Sequence, residues 1–265
     1  VSPTQYHPPQ NVEQVIAFIR TWGCVLVHAG ALVGKQQMKI MEERENLKSL
    51  NIELLESYDK LKRARAETVI GMATLSECRD RQTGQHLERV SEVCRILAQE
   101  LRRTPPLDSY ITDEYVEDIV LSSVLHDIGK AGLAEPLVLK EGQYTEGDLD
   151  AAKVHTWLGC EMLKDAQSPY LQAGECIALS HHERWDGSGY PNGLRGESIP
   201  LSARIVGLAD VFDALTTPRP YKKAVSPEEA QGLIQEGVAV LFDPQLVQVF
   251  NEEFGEILRI RRGRR

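Results

Sequence analysis

A heptad repeat in the early part of the 265-residue chain restricts the possible fold more than any other feature of the sequence. The residues at every seventh position are Ile40, Leu47, Leu54, Leu61, Thr68 and Leu75. This spacing lines one stripe of a continuous helix and predicts a parallel two-stranded coiled coil, and hence a homodimer, through residues 40–75. Ser57 and Gly71 interrupt the same seam. They keep open the alternative of a single amphipathic helix that packs on its own domain.

The remaining sequence also predicts helices, because no run of alternating apolar residues indicates a strand. One buried helical face is predicted from Leu87, Val90, Val93, Cys94 and Leu97. Helix starts are predicted at Thr112, Ser226 and Asp243, whose side chains are suited to N-caps. Further helices are predicted over residues 146–165, 171–182 and 201–216. The expected fold class is therefore all-α, a helical bundle preceded by a long coiled-coil helix.

Charge, cysteine usage and hydropathy exclude several classes of protein. A net charge of −9 opposes general nucleic-acid binding, because nucleic-acid backbones are polyanions. Five scattered cysteines without a Cys-x-x-Cys pair suit reduced thiols and a cytoplasmic location. The most apolar stretch, Trp22 to Gly34, is too short to cross a bilayer, so no membrane segment is expected in this chain. No export signal is recognised, and the chain is expected to be part of a longer protein.

These patterns predict four segments. Residues 1–38 are expected to be the remnant or terminal helix of an upstream sensory module, and residues 39–76 a coiled-coil linker helix. Residues 77–258 are expected to form the main helical domain. Residues 259–265 are a basic tail that is expected to be disordered, with a phosphate-contacting arm as the alternative.

The segment 181–191, His-His-Glu-Arg-Trp-Asp-Gly-Ser-Gly-Tyr-Pro, carries the densest group of chemically active residues. Neighbouring residues diverge by about 100° on a helix, so two adjacent histidines cannot share one helical face. Gly187, Gly189 and Pro191 predict that a helix ends here, which allows both imidazoles to point at one centre. By itself, the segment is equally compatible with a solvated turn that carries two surface histidines.

Five histidines and two aspartates form the set of candidate metal ligands: His86, His126, Asp127, His155, His181, His182 and Asp210. Imidazole and carboxylate without thiolate suit Fe, Mn, Ni or Zn in a catalytic site rather than structural zinc. Asp127 is expected to lie between two ions, with His86, His126 and Asp210 at one and His155, His181 and His182 at the other. A single histidine is more often a satisfied core residue, but the joint arrangement favours ligands.

Such a centre has a definite chemistry. Two ions about 3.5–4 Å apart can support an in-line displacement at phosphorus and activate water near neutral pH. Asp127 and Lys130 are therefore the candidate catalytic residues. Lys130 lies three residues further on, on nearly the same helical face, and is expected to contact a non-bridging phosphate oxygen.

The segment from about Glu77 to Phe250 resembles the HD-GYP branch of the HD metal-dependent phosphohydrolases. The resemblance rests on His126-Asp127-x-Gly129-Lys130 and on the extended block from His181 to Pro191, which continues to Gly196. It implies a helical bundle of the HD-domain type that hydrolyses the bacterial second messenger cyclic di-GMP, as the output domain of a signalling protein. It also implies that the seven residues above are metal ligands.

The resemblance further implies which residues hold the substrate. Lys130, Arg219 and Lys222 are expected to bind phosphates, because an arginine can fork onto two phosphate oxygens and a lysine acts as a point charge. Tyr190 is expected either to stack on guanine or to order its glycine-rich loop. An HD phosphohydrolase that acts on another cyclic dinucleotide or on a nucleotide monophosphate is the alternative, since it would use the same metal centre. Tyr190, Arg219 and Lys222 favour cyclic di-GMP over these substrates.

One position departs from the family pattern. Family members with a third metal carry glutamate where this chain has Gln82, and a neutral amide is a poor ligand for a hard dication. We therefore expect two divalent ions, with iron or manganese best suited to the ligands, and pGpG rather than GMP as the main product. A remaining alternative is a catalytically weak domain that binds metal and nucleotide and signals through protein contacts.

Overall fold

The computed structural model describes residues 11–77, 84–105, 107–138, 140, 144–218 and 223–262. Within these ranges the regular structure is helical and no strand is present, which confirms the predicted all-α class. The first helix, α1, spans Val12–Glu77. The helices that follow it are α2 (Gly84–Leu101), α3 (Asp113–Ser123), α4 (Glu135–Val138), α5 (Glu146–Leu163), α6 (Pro169–Ser180), α7 (Leu201–Thr216), α8 (Pro227–Glu236), α9 (Pro244–Glu252) and α10 (Phe254–Arg262).

The chain divides into two compact units, Val1–Arg63 and Ala64–Arg265. In the first unit, nearly every described side chain of α1 is exposed. An 18-residue stretch of this helix has a mean hydropathy of 1.7, so the helix is long and apolar enough to cross a membrane. This evidence is weak, because a signal sequence near an N-terminus passes the same test of length and composition. The expected absence of a membrane segment therefore stays a prediction.

The second unit contains a large apolar core to which α2 and α7 both contribute. Leu97, Ile205, Phe212 and Phe250 are at most 1% exposed. Burial of a side chain of this size contributes about 1.5–3 kcal/mol. The predicted face of α2 is confirmed, since all five of its residues are buried: Leu87, Val90, Val93, Cys94 and Leu97.

A smaller apolar cluster attaches the last turns of α1 to this unit. Its buried members are Val69, Ala73, Leu87, Leu121, Val124 and Leu125. Because Leu87 lies at the start of α2 and Leu125 follows α3, this cluster lies beside the two places where the first candidate ligands occur in the chain.

The helix boundaries agree with several local signals in the sequence. Thr112, Ser226 and Asp243 each accept a hydrogen bond from a backbone N–H of the first turn, which confirms the predicted starts of α3, α8 and α9. α6 ends at Ser180 rather than at residue 182, so the histidine pair follows the helix. α10 extends to Arg262, so residues 259–262 of the expected basic tail are helical, whereas 263–265 lie outside the described residues.

Candidate metal centre

The structure brings the seven predicted metal ligands together in the second unit. They come from α2 (His86), the turn after α3 (His126 and Asp127), α5 (His155), the turn after α6 (His181 and His182) and α7 (Asp210). Because α6 has ended, the two adjacent imidazoles are not forced into diverging helical directions, and their ring centroids lie 3.9 Å apart.

The ligands form two groups, and within each group the potential ligand atoms lie within 4.8 Å of one another. The first, which we name the His155 group, consists of Asp127, His155, His181 and His182. The second, which we name the His86 group, consists of His86, His126 and Asp210. In the His86 group, Oδ1 of Asp210 lies 3.6 Å from Nε2 of His86 and 3.9 Å from Nε2 of His126.

Asp127 lies between the two groups and faces both. Its Oδ1 atom is 3.2 Å from Nε2 of His155 and 3.8 Å from Nε2 of His181. Its Oδ2 atom is 3.2 Å from Nε2 of His126. Asp127 therefore turns one carboxylate oxygen toward each group of candidate ligands, so it could contribute to holding a metal ion in either group.

Backbone carbonyls determine which nitrogen of three histidines faces the centre. Nδ1 of His126 lies 2.8 Å from the carbonyl oxygen of Ser123. Nδ1 of His155 lies 2.7 Å from that of Ala152, and Nδ1 of His181 lies 3.0 Å from that of Ile177. Because a carbonyl only accepts hydrogen bonds, each Nδ1 carries the proton, and the lone pair on Nε2 is left for a metal.

The electrostatics of the centre fit bound cations. Burial lowers the pKa of His181 to about 4 and lowers that of His182 well below its usual value, so both rings are neutral at pH 7. Although burial raises the pKa of Asp127, the charge of Lys130 holds it well below its usual range. The carboxylate is therefore ionised, as a metal ligand must be.

Buried polar atoms provide a test of whether metal ions fit these residues. Nε2 of His155 and Nε2 of His181 are buried and have no hydrogen-bond partner among the described residues. A buried polar atom left in this state costs about 1–3 kcal/mol. Divalent ions would satisfy these nitrogens, and a mixture of imidazole and carboxylate suits several divalent transition metals. The residues present therefore fit two divalent metal ions.

Two glycines allow the ligand-bearing segments to approach closely. A Cβ atom on Gly129 would lie 1.9 Å from the carbonyl oxygen of His155, so any other residue would displace α5 from the turn that carries Asp127. A Cβ on Gly189 would lie 2.3 Å from the backbone nitrogen of Arg184. The buried side chain of Glu183 stabilises the loop that contains Gly189. Its two carboxylate oxygens accept hydrogen bonds from the backbone N–H groups of Asn192 and Leu194.

Two of the predicted substrate contacts, Lys130 and Tyr190, lie beside the candidate metal ligands. Nζ of Lys130 is 2.8 Å from Oδ2 of Asp127. The ring of Tyr190 lies 4.8 Å from the ring of His182, measured between centroids. Lys153, which the sequence reasoning missed, places its ammonium 5.7 Å from the centroid of Tyr190. Arg219, Lys222 and Gln82 lie outside the described residues.

Two further residues that sequence reasoning missed contact ligands. Asp213 accepts a hydrogen bond from Nδ1 of His86 at 2.8 Å. The signal for it was present, because Asp213 follows Asp210 by three residues and so lies on the same face of α7. Ser76 of α1 donates its hydroxyl to the carbonyl oxygens of Asp127 at 3.2 Å and Ile128 at 3.0 Å. A lone serine at the end of a long helix gave no comparable signal.

The chain is similar in sequence to known proteins. A family model described as HD domain matches residues 71–246. The chain is 38% identical to a protein named cyclic di-GMP phosphodiesterase from Vibrio cholerae, over 79% of this chain and 44% of the relative. It is 39% identical to the cyclic di-GMP phosphodiesterase response regulator RpfG of Xanthomonas campestris, over 79% of this chain and 54% of the relative. The chain thus spans about half the length of the curated relatives it matches.

A solved structure shares the fold. The crystal structure of a cyclic GMP-AMP specific phosphodiesterase from Vibrio cholerae matches with a TM-score of 0.52 at 21% identity, over 73% of this chain and 50% of that chain. Likeness at this level of identity shows the fold, and the predicted bundle of the HD-domain type is confirmed.

Proposed function

The chain belongs to the HD domain family, and on this premise we propose that it is a metal-dependent phosphodiesterase that hydrolyses cyclic di-GMP, mainly to pGpG. The observation that carries the proposal is the position of Asp127, which presents one oxygen to each of two groups of potential metal ligands. The names of the two relatives support the choice of substrate.

The chain's own residues have separate tasks in this reaction. When bound, two divalent ions supply the Lewis acidity that activates water and stabilises the charge of a phosphodiester during in-line displacement. His126, His155 and His181 hold their Nε2 atoms toward the centre through their carbonyl contacts. Asp127 is proposed to connect the two groups, because one of its oxygens faces each of them. Lys130 is proposed to donate a charge-assisted hydrogen bond to a non-bridging phosphate oxygen.

The space beside the centre supports a dinucleotide substrate. Two cavities of about 300 and 320 Å³ border the metal ligands, and Tyr190 lines both. The smaller cavity reaches His182, and the larger one reaches Lys130 and Lys153. We propose that the phosphates lie at the centre and that the nucleosides extend into these cavities on either side of Tyr190. Arg219 and Lys222 are proposed phosphate contacts on the strength of the resemblance.

The number and type of metal ions remain part of the proposal. The ligands support two ions, and imidazole with carboxylate favours iron or manganese. Gln82 in place of a glutamate argues against a third ion, and this is the basis for expecting pGpG as the main product. Element analysis of anaerobically prepared protein is expected to give two ions per chain.

Turnover with a small panel of nucleotides tests the proposed function. Metal-loaded protein is incubated separately with cyclic di-GMP, with cyclic GMP-AMP and with a nucleotide monophosphate, and the products are separated by chromatography. We expect cyclic di-GMP to be cleaved fastest and pGpG to accumulate. Rapid, complete conversion to GMP would contradict the two-metal proposal. Tight binding of cyclic di-GMP without turnover would instead identify a binding domain.

We also propose that the protein is a homodimer through residues 40–75. Leu47, Leu54 and Leu61 are between 62% and 70% exposed, so the predicted heptad seam is not covered within the chain that the structure describes. A second copy that packs parallel to the first would bury these leucines. In this arrangement the dimer helix leads directly into the catalytic unit, which suits an output domain of a cytoplasmic bacterial signalling protein.

Substitution of adjacent leucines tests the dimer. Leu54 lies on the seam and Leu55 lies beside it, and the two are almost equally exposed, at 64% and 65%. Leu54→Lys is expected to convert the dimer to a monomer in light-scattering measurements, whereas Leu55→Lys leaves it dimeric. Equal behaviour of the two variants would contradict the predicted seam.

A further inference from the structure

His86 differs from His126, His155 and His181 in what holds its ring, and this difference points to a further functional residue. We propose that Asp213 is a positioning residue for His86, and that it sets the metal affinity of the His86 group independently of the His155 group. The inference rests on the proposed metal centre, and on the contacts of a carboxylate that is not itself one of the seven ligands.

The first observation is the partner of His86. Nδ1 of His86 lies 2.8 Å from Oδ2 of Asp213, whereas the corresponding atoms of His126, His155 and His181 face backbone carbonyls. His86 lies in the first turn of α2, which begins at Gly84. Its ring is oriented by the side chain of Asp213 from α7.

The second observation is how firmly Asp213 is held. Its side chain is 3% exposed. Nε of Arg89 donates to Oδ1 at 2.5 Å, and Nη2 of Arg89 donates to Oδ2 at 2.9 Å. Oγ1 of Thr217 lies 3.3 Å from Oδ2. A buried carboxylate with a bidentate guanidinium partner has little freedom to rotate, so the imidazole that it orients is also held in one direction.

The third observation extends the network to the last helix. Nη1 of Arg261 in α10 lies 3.3 Å from Oδ1 of Asp213, and Nη2 of Arg261 donates to the carbonyl oxygen of Thr216. Three helices therefore converge on this carboxylate: α2 through His86 and Arg89, α7 through Asp213 itself, and α10 through Arg261. The basic end of the chain thereby acquires a role in orienting one ligand.

A carboxylate partner changes the metal affinity of a histidine as well as its direction. A ligand histidine that donates its second N–H to a carboxylate is a more basic ligand than one that donates to a neutral group, and loss of such a partner typically costs about 10–100-fold in metal affinity. Because Asp213 contacts His86, whereas His155 and His181 contact backbone carbonyls, the loss is expected at one ion.

Metal binding by the metal-free 265-residue chain tests the inference without any nucleotide. Mn²⁺ is titrated into wild-type protein and into Asp213→Asn, and free Mn²⁺ is measured by electron paramagnetic resonance. We expect two sites in the wild type. In the variant, one site is expected to weaken about 10–100-fold and the other to be unchanged. Two unchanged sites, or equal weakening of both sites in a folded variant, would overturn the proposal.

Asp243→Asn is the matched control. Asp243 is also a buried carboxylate with an arginine partner, since Nη1 of Arg204 lies 2.5 Å from its Oδ2, but it caps α9 and contacts no candidate ligand in the described structure. Both Mn²⁺ sites are expected to keep their wild-type affinity in this variant. Loss of one site here as well would show that any buried carboxylate has the same effect, and would overturn the specific role of Asp213.

Arg261→Gln keeps the test decisive if Asp213→Asn does not fold. It removes one donor to Asp213 and leaves the contact with His86, so the same single site is expected to weaken by a smaller factor, about 2–5-fold. Wild-type affinity at both sites would overturn the role of α10. A wild-type chain that binds two ions but cleaves no cyclic dinucleotide would contradict the proposed function, while a one-site loss in Asp213→Asn would still support this inference.

Discussion

The His155 group and the His86 group contain the same kinds of ligand but are held in different ways. In the His155 group, the rings of His155 and His181 are oriented by carbonyl oxygens three or four residues earlier in their own segments. In the His86 group, the ring of His86 is oriented by Asp213, which is 127 residues away in the chain. The orientation of His155 and His181 therefore depends mainly on local geometry, as does that of His126 through the carbonyl of Ser123, whereas the orientation of His86 depends on tertiary packing.

This comparison shows where the two halves of the centre are vulnerable. A carbonyl partner is lost only if its own segment unfolds, so the orientation of His155 and His181 is expected to persist for as long as α5 and α6 do. The orientation of His86 requires α2, α7 and α10 to remain in place together. Asp127 belongs to the first group, and its neighbour His126 belongs to the second, so the turn after α3 connects the two halves.

The largest effect is expected from removal of that connection. Asp127→Asn removes the charge that both groups share, so we expect loss of both high-affinity ions and a decrease in cyclic di-GMP hydrolysis of at least about 100-fold, the upper end of what loss of an outer-shell partner costs. Asp210→Asn is the matched comparison, because Asp210 belongs to the His86 group alone among the two described groups.

Metal stoichiometry separates the two variants. Asp210→Asn is expected to retain one ion per chain, whereas Asp127→Asn retains none, as measured by element analysis after dialysis. If Asp127→Asn kept two ions, the carboxylate would not connect the groups, and the division of the centre proposed here would be wrong.

The sequence indicates the candidate ligands better than it indicates what orients them. The seven candidates are recognisable because imidazole and carboxylate recur at helix ends and in a glycine-rich block, and the structure brings them together. The all-α class followed from apolar spacing in helices such as α2. The sequence gives a weaker indication of the residues that orient the candidate ligands, because their roles arise from contacts between segments that are distant in the chain. These residues are Asp213, Arg261 and Ser76. Arg261 was even placed in a disordered tail, since a basic end with few apolar residues gives no local sign of a buried partner.

The second prediction concerns pH and the His155 group. Burial lowers the pKa of His181 to about 4, below the ordinary value of 6.5 that the unfolded chain has. The unfolded protein therefore binds more protons between these two values, and the stability of the metal-free protein is expected to fall as the pH decreases from about 6.5 to 4. One such group contributes up to about 1.4 kcal/mol per pH unit to the free energy of unfolding.

Urea denaturation of the metal-free protein at several pH values measures this slope. His181→Asn is expected to reduce the slope, because the asparagine takes up no proton on unfolding. His28→Gln, at an exposed position in α1, is expected to leave the slope unchanged. Equal slopes for His181→Asn and the wild type would contradict the assignment of this pH dependence to His181.

The third prediction concerns substrate contacts on the His155 side. Lys153 and Lys164 both lie at the surface of the α5 segment and both pair with an acid three residues earlier, but only Lys153 of these two lines the cavity that reaches His155. Lys153→Ala is expected to raise KM for cyclic di-GMP roughly 3–10-fold with little change in kcat, because a charge-assisted contact with the substrate is lost. Lys164→Ala should leave both constants unchanged. A fall in kcat at constant KM in Lys153→Ala would contradict a binding role.

The smallest effect is expected at the contact between α1 and the connecting residue of the centre. The hydroxyl of Ser76 donates to the backbone carbonyls of Asp127 and Ile128 and is 2% exposed, so Ser76→Ala is expected to cost about 1 kcal/mol of stability. Because the lost contact holds the backbone of Asp127, we also expect a decrease in kcat of about 2–5-fold, with both Mn²⁺ sites retained. Ser91→Ala is the control, since the hydroxyl of Ser91 bonds to the carbonyl of Glu88 in its own helix. If Ser76→Ala lost stability but kept its kcat, α1 would anchor the unit without positioning Asp127, and the two ligand groups would be joined by the carboxylate alone.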